Sequence, residues 1–229
     1  SVGAADAPLA VGAAGVVLDY LKQNQARIAP GSFTVRTYSP DSTMPLDAAT
    51  VRNLELPALV EMMDRTRTPI GARRLRAWVG APMRDAESIE LRLGAVAELV
   101  ASPDLRQALS AALKPIGDLE RLAARSAQGH ASARELVALR RSLEAIPGLQ
   151  GVLARCEALA VRELAGQISG SPDLAHRLAQ ALVEDPPPVA REGGAIRAGD
   201  DAELDRIAEA SRTAREWIGS LEASERRRT

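Results

Sequence analysis

The chain has 229 residues, 46% of them hydrophobic and 26% charged, and a formal net charge of -1. This apolar content excludes a disordered chain, and the near-neutral balance removes any whole-chain electrostatic case for nucleic acid. Only Lys22 and Lys114 among the 29 cationic residues are lysines; the bias toward arginine runs along the whole chain with abundant Ala and reads as genome composition. Cys156 is alone, so an internal disulfide is excluded and a reducing compartment is expected. No run of about 18 apolar residues is present to span a membrane. The opening stretch lacks a basic region and carries Asp6, so it does not read as a signal peptide, and the expected location is the cytoplasm. Aromatics are 2% of the chain, and a core of Leu, Ala, Val and Ile suits helices better than sheets.

Pro8 suits a first helical turn, with Leu9, Ala13, Val16, Val17, Tyr20 and Leu21 at helical spacing. "GSFTVRTYSP" alternates and predicts a short β element at about 32–46, with Met44 and Leu46 near its partner strand. Asp47 is placed to cap a helix through "AATVRNLEL", and Pro57 opens a segment with Leu59, Val60 and Met63 inward. Thr68 and Pro69 start "IGARRLRAWVG", with Ile70, Arg74, Leu75, Trp78 and Val79 on one face and Gly80 at its end. Asp85 caps the next helix, whose apolar stripe is Ile89, Leu93, Val96 and Val100. Ser102 and Pro103 restart the chain with Leu105, Leu109, Ala112 and Leu113, and a short helix ends at Gly129.

Ser132 and Glu135 form a capping box, opening a helix that carries Leu136, Leu139, Leu143 and Ile146 until Pro147 breaks it. "LQGVLARCEALAVRELAGQI" reads as one helix weakened by Gly151 and Gly166, and Ser171 and Pro172 start another. In "EDPPPVAREGGAIRAG" three prolines forbid helix, and Gly193-Gly194 predicts a hairpin. From Asp200 onward there is no Pro, and Leu204, Ile207, Ser211, Ala214, Ile218 and Leu221 recur as a heptad seam. A helix of that length runs roughly 45 Å, and nothing in "REWIGSLEASERRRT" terminates it. An open-ended strut is expected to have something attached to it. The fold class is therefore mainly α: a multi-helix bundle with one or two short β-hairpins and a long protruding C-terminal helix.

"MPLDAATVRNLEL", "DRTRTPIGARRLRAWVGAPMRD", "IGDLERLAAR", "DPPPVAREGGAIRAGDDAELD" and "LEASERRRT" follow one another in this order. Together they resemble the core, or lever, region of the MutS family of DNA mismatch-repair proteins, from about Gly12 to Thr229. The residues that carry the match are Asp47, Asn53, Thr68, Gly71, Trp78 and Asp85, and each also has a structural reading as a cap, a close helix approach (Gly71) or an apolar anchor (Trp78). The resemblance implies a helical core over 1–185, a Pro/Gly hairpin connection over 186–199, and a lever helix over 200–229 leading to a clamp outside this sequence. It implies a parent that is a homodimeric, DNA-dependent ATPase, nucleoid-associated in action in a bacterial cytoplasm. That parent uses ATP and Mg, binds mismatched double-stranded DNA through clamp and mismatch domains, and works with a MutL-type partner. One departure is local: a longer Gly- and Ser-containing stretch usually follows "RNLEL" in the family, whereas here Leu56 runs straight into Pro57.

Chemistry inside these 229 residues is sparse. No phosphate-cradling G-x-x-x-x-G-K-[ST] occurs, and one Cys with His130 and His176 does not make a zinc set. No catalytic, cofactor-binding or metal-binding residue is assigned, and catalysis is not expected here. Arg226, Arg227 and Arg228 have two readings: proximity to the DNA backbone where lever becomes clamp, or a solvated helix end favoured by the dipole. Arg65, Arg67, Arg73, Arg74 and Arg76 offer either a second DNA contact or an exposed helix face. Two other functions stay open, a MutS-like paralogue with a recombination role and a free-standing helical adaptor without a DNA role.

Overall fold

The computed structural model describes residues 8–24, 43–189 and 193–228. Among them are twelve α-helices and no strand: α1 (Pro8–Asn24), α2 (Ala48–Asn53), α3 (Leu56–Met63), α4 (Pro69–Gly80), α5 (Ala86–Ala101), α6 (Pro103–Leu113), α7 (Leu119–Ala127), α8 (Ala133–Glu144), α9 (Ile146–Leu153), α10 (Leu159–Gln167), α11 (Pro172–Ala181) and α12 (Ala202–Arg228). Among the described residues β pairing is confined to isolated bridges, Thr43 with Met83 and Leu182 with Ile196. Residues 32–42 of the first expected element lie outside the described residues.

Short-range chemistry sets most helix starts. Asp47, Thr68, Asp85 and Asp118 each accept a hydrogen bond from the backbone N–H three residues on. Ser132 and Glu135 close a reciprocal capping box at α8. Pro69, Pro103, Pro147 and Pro172 occupy first-turn positions, where a missing N–H costs nothing. Pro147 therefore opens α9 instead of merely ending α8. The single helix expected across 149–168 is two, α9 and α10, separated by a turn at Ala154–Ala158. Glu98 of α5 explains the second start. Its carboxylate accepts from the N–H groups of Glu157 (2.6 Å) and Ala158 (2.9 Å), capping α10 from another helix.

The core is built by α6, α9 and α10, with Leu105, Ile116, Ile146, Leu149, Leu153, Cys156 and Val161 buried together. Ala95 and Leu99 of α5 pack against this cluster. The inward face of α5 is thus not the stripe read from the sequence; Ile89, Leu93, Val96 and Val100 all face out. Likewise Val60 is buried on α3, while Leu59 and Met63 are exposed. Burial pushes the Cys156 thiol up, and the nearby Glu98 carboxylate adds to the shift, so this sulfur is an inert core group.

α8 forms a second centre, packing on α7, α9 and α11. Its buried face is Val137, Leu139, Arg140 and Ser142, so of Leu136, Leu139 and Leu143 only Leu139 is fully enclosed. Arg140 grips Glu184 in a bidentate pair at 2.8 and 2.6 Å, and its Nε faces Glu144 at 3.6 Å. Arg134 donates to the Pro186 carbonyl at 2.9 Å and Arg141 to the Glu184 carbonyl at 3.2 Å. Three arginines on one helix thereby hold the strap that follows α11, and Pro186 is fully enclosed beneath them.

The unit α2–α4 adds nothing to the central cluster. It is tied on by arginines: Arg67 Nε donates to Ser110 Oγ at 2.7 Å, and Arg73 spans Asp118 (2.6 and 2.9 Å) and Glu120 (2.6 Å). The Arg92 guanidinium lies 4.1 Å from the Trp78 ring centroid, with Arg74 at 5.6 Å. The connection from α2 to α3 is correspondingly tight, and Glu55 within it is left-handed, at φ 50°.

Two stability predictions follow from these ties. The Arg140 side chain is 4% exposed and Glu184 is 66% exposed, so the partners are not equivalent. Glu184→Ala leaves the buried guanidinium with only its longer contact to Glu144 and is expected to lower the urea midpoint, whereas Arg140→Met leaves a solvated carboxylate and lowers it less. The hydrogen bonds from Arg73 hold the Asp118 carboxyl at about 2, below its ordinary 3.8, and the Ser132 N–H and Arg125 hold Glu135 at about 2, below 4.5. Both folded values lie under the unfolded ones. Their contribution is complete above the unfolded values and disappears as pH falls through about 2. Melting temperature is expected to drop from pH 5 to pH 2, and Asp118→Asn should start lower at pH 7 and drop less.

Candidate functional site

The feature that dominates the C-terminal part is α12, a 27-residue helix. At about 1.5 Å per residue it runs roughly 40 Å. Its start is tightly built. Asp201 accepts from the N–H groups of Glu203 and Leu204, both at 2.9 Å. Asp205 reaches back to the Gly199 N–H at 2.8 Å, placing two carboxylates at the positive end of the helix. Gly199 sits at φ 92°, a turn that a side chain would strain.

The root of α12 is fastened to α11. Arg177 makes a two-point pair with Asp200. The Arg197 guanidinium donates to the Leu182 carbonyl at 3.0 Å, and backbone bonds run from Val183 N–H to the Ala195 carbonyl (3.1 Å) and from Arg197 N–H to the Ala181 carbonyl (2.8 Å). This single bridge stands where the sequence predicts a hairpin; Gly193 and Gly194 have φ 72° and 73°, while residues 190–192 lie outside the described residues. Leu182, buried here, sits between the α8 strap and the root of the rod.

Beyond the root, the seam Leu204, Ile207, Ser211, Ala214, Ile218 and Leu221 is exposed along its length, as is Trp217. Among the described residues, no preceding helix packs extensively against it. A groove along the same helix is lined by Arg206, Ala210, Thr213 and Trp217. Near the tip Arg226 is exposed, and the side chains of Arg227 and Arg228 lie outside the described residues.

The arginine-rich segment before and along α4 is differently employed. Arg65 bonds the carbonyls of Met62 and Asp64, Arg67 and Arg73 hold α6 and α7, and Arg74 lies over Trp78. Arg76 lies close enough to Asp64 to help hold its carboxyl below the usual range, and it borders a small apolar pocket between α3 and α4. Of the residues that carry the family match, Asp47, Thr68 and Asp85 are caps, Asn53 ends α2 on the surface, and Trp78 is half exposed under two arginines. Gly71 makes no close helix approach: a Cβ there would meet Thr68 Oγ1 at 3.1 Å, inside its own capping turn.

Among the described residues no cluster of His, Cys, Asp and Glu could hold a metal ion, and no helix is long and apolar enough to cross a membrane. His130 follows the left-handed Gly129, and His176 faces Gln180 at 2.8 Å on the surface of α11. What the arrangement presents is a long helix with a fastened root and an exposed apolar seam. Among the interactions that sequence reasoning missed are those of Glu98 and Arg140, whose partners lie some 60 and 44 residues away.

Comparison with known proteins puts this geometry in a family. Residues 49–227 match the pattern described as MutS domain III, a span that takes in α3–α11 and all but the first residue of α2 and the last of α12. The DNA mismatch repair protein MutS of Salinibacter ruber is 37% identical over 99% of this chain and 26% of its own length. Those of Desulforamulus reducens and Methanosarcina barkeri are 39% and 36% identical, over 98% and 100% of this chain and 27% of each relative. The chain thus spans about a quarter of the length of the relatives it matches, and it belongs to the MutS family of DNA mismatch-repair proteins, as the segment that forms domain III.

Proposed function

We propose that this chain is the lever segment of a longer mismatch-repair protein, mechanically coupling an ATPase domain to a DNA clamp. The observation that carries the reading is α12, fastened at its root by Asp200, Arg177 and Arg197 and exposed along its seam. A helix held at one end and projecting at the other turns a small displacement of its root into a larger one at its tip. In this reading residues 1–185 are the core, 186–199 the connection and 200–229 the lever. Asp47, Asn53, Thr68, Gly71, Trp78 and Asp85 shape the fold, and Arg226, Arg227 and Arg228 lie toward the DNA backbone. Mismatched double-stranded DNA, a second protomer and a MutL-type protein are partners of the full-length protein. ATP and Mg are bound outside this segment, which itself carries no catalytic step.

Coupling of this kind requires that nucleotide and DNA bias one shared arrangement of the lever. The test is to break the rod and leave both ends intact. In the full-length protein, Ala214→Pro removes a helical hydrogen bond mid-rod at a cost of about 3 kcal/mol. Basal ATP hydrolysis is expected to persist, while its stimulation by mismatched duplex falls to the homoduplex level. Ala214→Ser, which keeps the helix, is expected to retain the stimulation. Full stimulation in the proline variant refutes the lever reading.

A further inference from the structure

Residues 43–85 meet the rest of the fold through a narrow neck and a set of polar ties. Val60 is the one residue of this stretch that is fully buried, and it shares a small pocket with Val51, Leu56 and Val79, lined entirely by α2–α4. α2 packs on α3 and α3 on α4, while none of the three joins the central cluster. The unit thus carries a small apolar centre of its own. Its two ends come together: Thr43 bridges Met83, and the Met44 N–H donates to the Pro82 carbonyl at 2.7 Å. The chain therefore enters and leaves the unit at a single place. Toward the opposite end of α4, Arg67 donates to Ser110 of α6, and Arg73 spans Asp118 and Glu120 at the start of α7.

We infer that α2–α4 is a hinged flap, which pivots as one body about the Thr43–Met83 neck and is latched to α6 and α7 by Arg67 and Arg73. The latch is of a kind that releases. The Arg73 side chain is 45% exposed and that of Glu120 is 70% exposed, so water and salt reach both, and such a pair is weak and readily screened. A buried apolar seam would hold the flap shut against salt, but α4 has no fully buried residue. Release unravels neither side. Asp118 keeps its bond from the Arg121 N–H and still caps α7, and Thr68 still caps α4 through the Gly71 N–H. The pocket around Val60 travels with the flap, since every residue that lines it belongs to the unit. The flap is a feature of the helical body and does not rest on the lever reading.

The test measures one distance across the latch. In the full-length protein, p-acetylphenylalanine replaces Met62 on α3 and Gln107 on α6, both exposed, and spin labels attached to the two are read by double electron–electron resonance. At about 0.05 M KCl one short distance is expected to dominate. At about 0.5 M KCl a longer-distance population is expected to rise roughly fivefold, the ratio that loss of an exposed ion pair supports. Arg73→Gln is expected to show that raised population already at the lower salt and to respond little to more, with the helical circular dichroism signal unchanged throughout. If the variant fails to fold, the salt series on the otherwise unsubstituted protein decides alone. Three outcomes overturn the inference: no longer-distance population under any of these conditions, one that neither salt nor Arg73→Gln alters, or one that grows only as helical signal is lost, which marks unfolding of the unit in place of a pivot.

Discussion

A long helix transmits displacement only if its root cannot slip, and here the root is held by arginines. Arg140 is enclosed within α8 and takes Glu184 in a two-point grip, while Arg134 and Arg141 bond the carbonyls on either side of that strap. Pro186 is locked beneath them, and three consecutive prolines leave the strap few conformations to recover by letting go. On the far side of the bridge, Arg177 and Arg197 hold the turn that launches α12. Planar guanidinium forks fix direction as well as distance, which a lysine in these places would not. The direction in which α12 leaves the body depends on this pair of ionic clasps.

Apolar burial explains why the clasps matter. The central cluster is confined to α6, α9 and α10 and their immediate neighbours, whereas α3, α5 and α12 each turn large apolar side chains to solvent. Each such side chain would gain about 1.5–3 kcal/mol on full burial. A structure with this balance is held in shape by capping and ion pairs where its core does not reach. The α2–α4 unit shows the same economy, secured through Arg67, Arg73 and the Arg92–Trp78 stack instead of shared core.

Local rules carry much of this fold, and long-range ones decide the rest. Asp85, Thr68 and the Ser132–Glu135 box act within three residues, so the sequence alone announces those helix starts. The split between α9 and α10 has no Pro or Gly at the turn itself; it is made by a carboxylate from α5 taking two N–H groups. Periodicity also fails where a helix has two apolar faces. On α5 both the Leu91–Ala95–Leu99 face and the Ile89–Leu93–Val96–Val100 face satisfy a helical repeat, and only tertiary packing chooses between them. Arg140 reads as an ordinary surface residue until its partner arrives from another part of the chain. The rod was legible because nothing interrupts it, while its root was not, because Arg177 and Asp200 meet across 23 residues of chain.

The composition of the rod's seam bears on how it works. Leu204 and Ile207 lie near the root and Ile218 and Leu221 near the tip, but the middle of the seam is Ser211 and Ala214. Without burial, what steadies α12 is its own hydrogen bonding and pairs such as Arg212 with Glu209, worth only tenths of a kcal/mol each. Gly219 near the tip weakens it by up to about 1 kcal/mol relative to Ala. Stiffness is therefore greatest at the root, where bonds are dense, and falls toward the tip. A partner laid along the seam would grip most firmly at its two ends, where the large side chains are, and least over the small residues between.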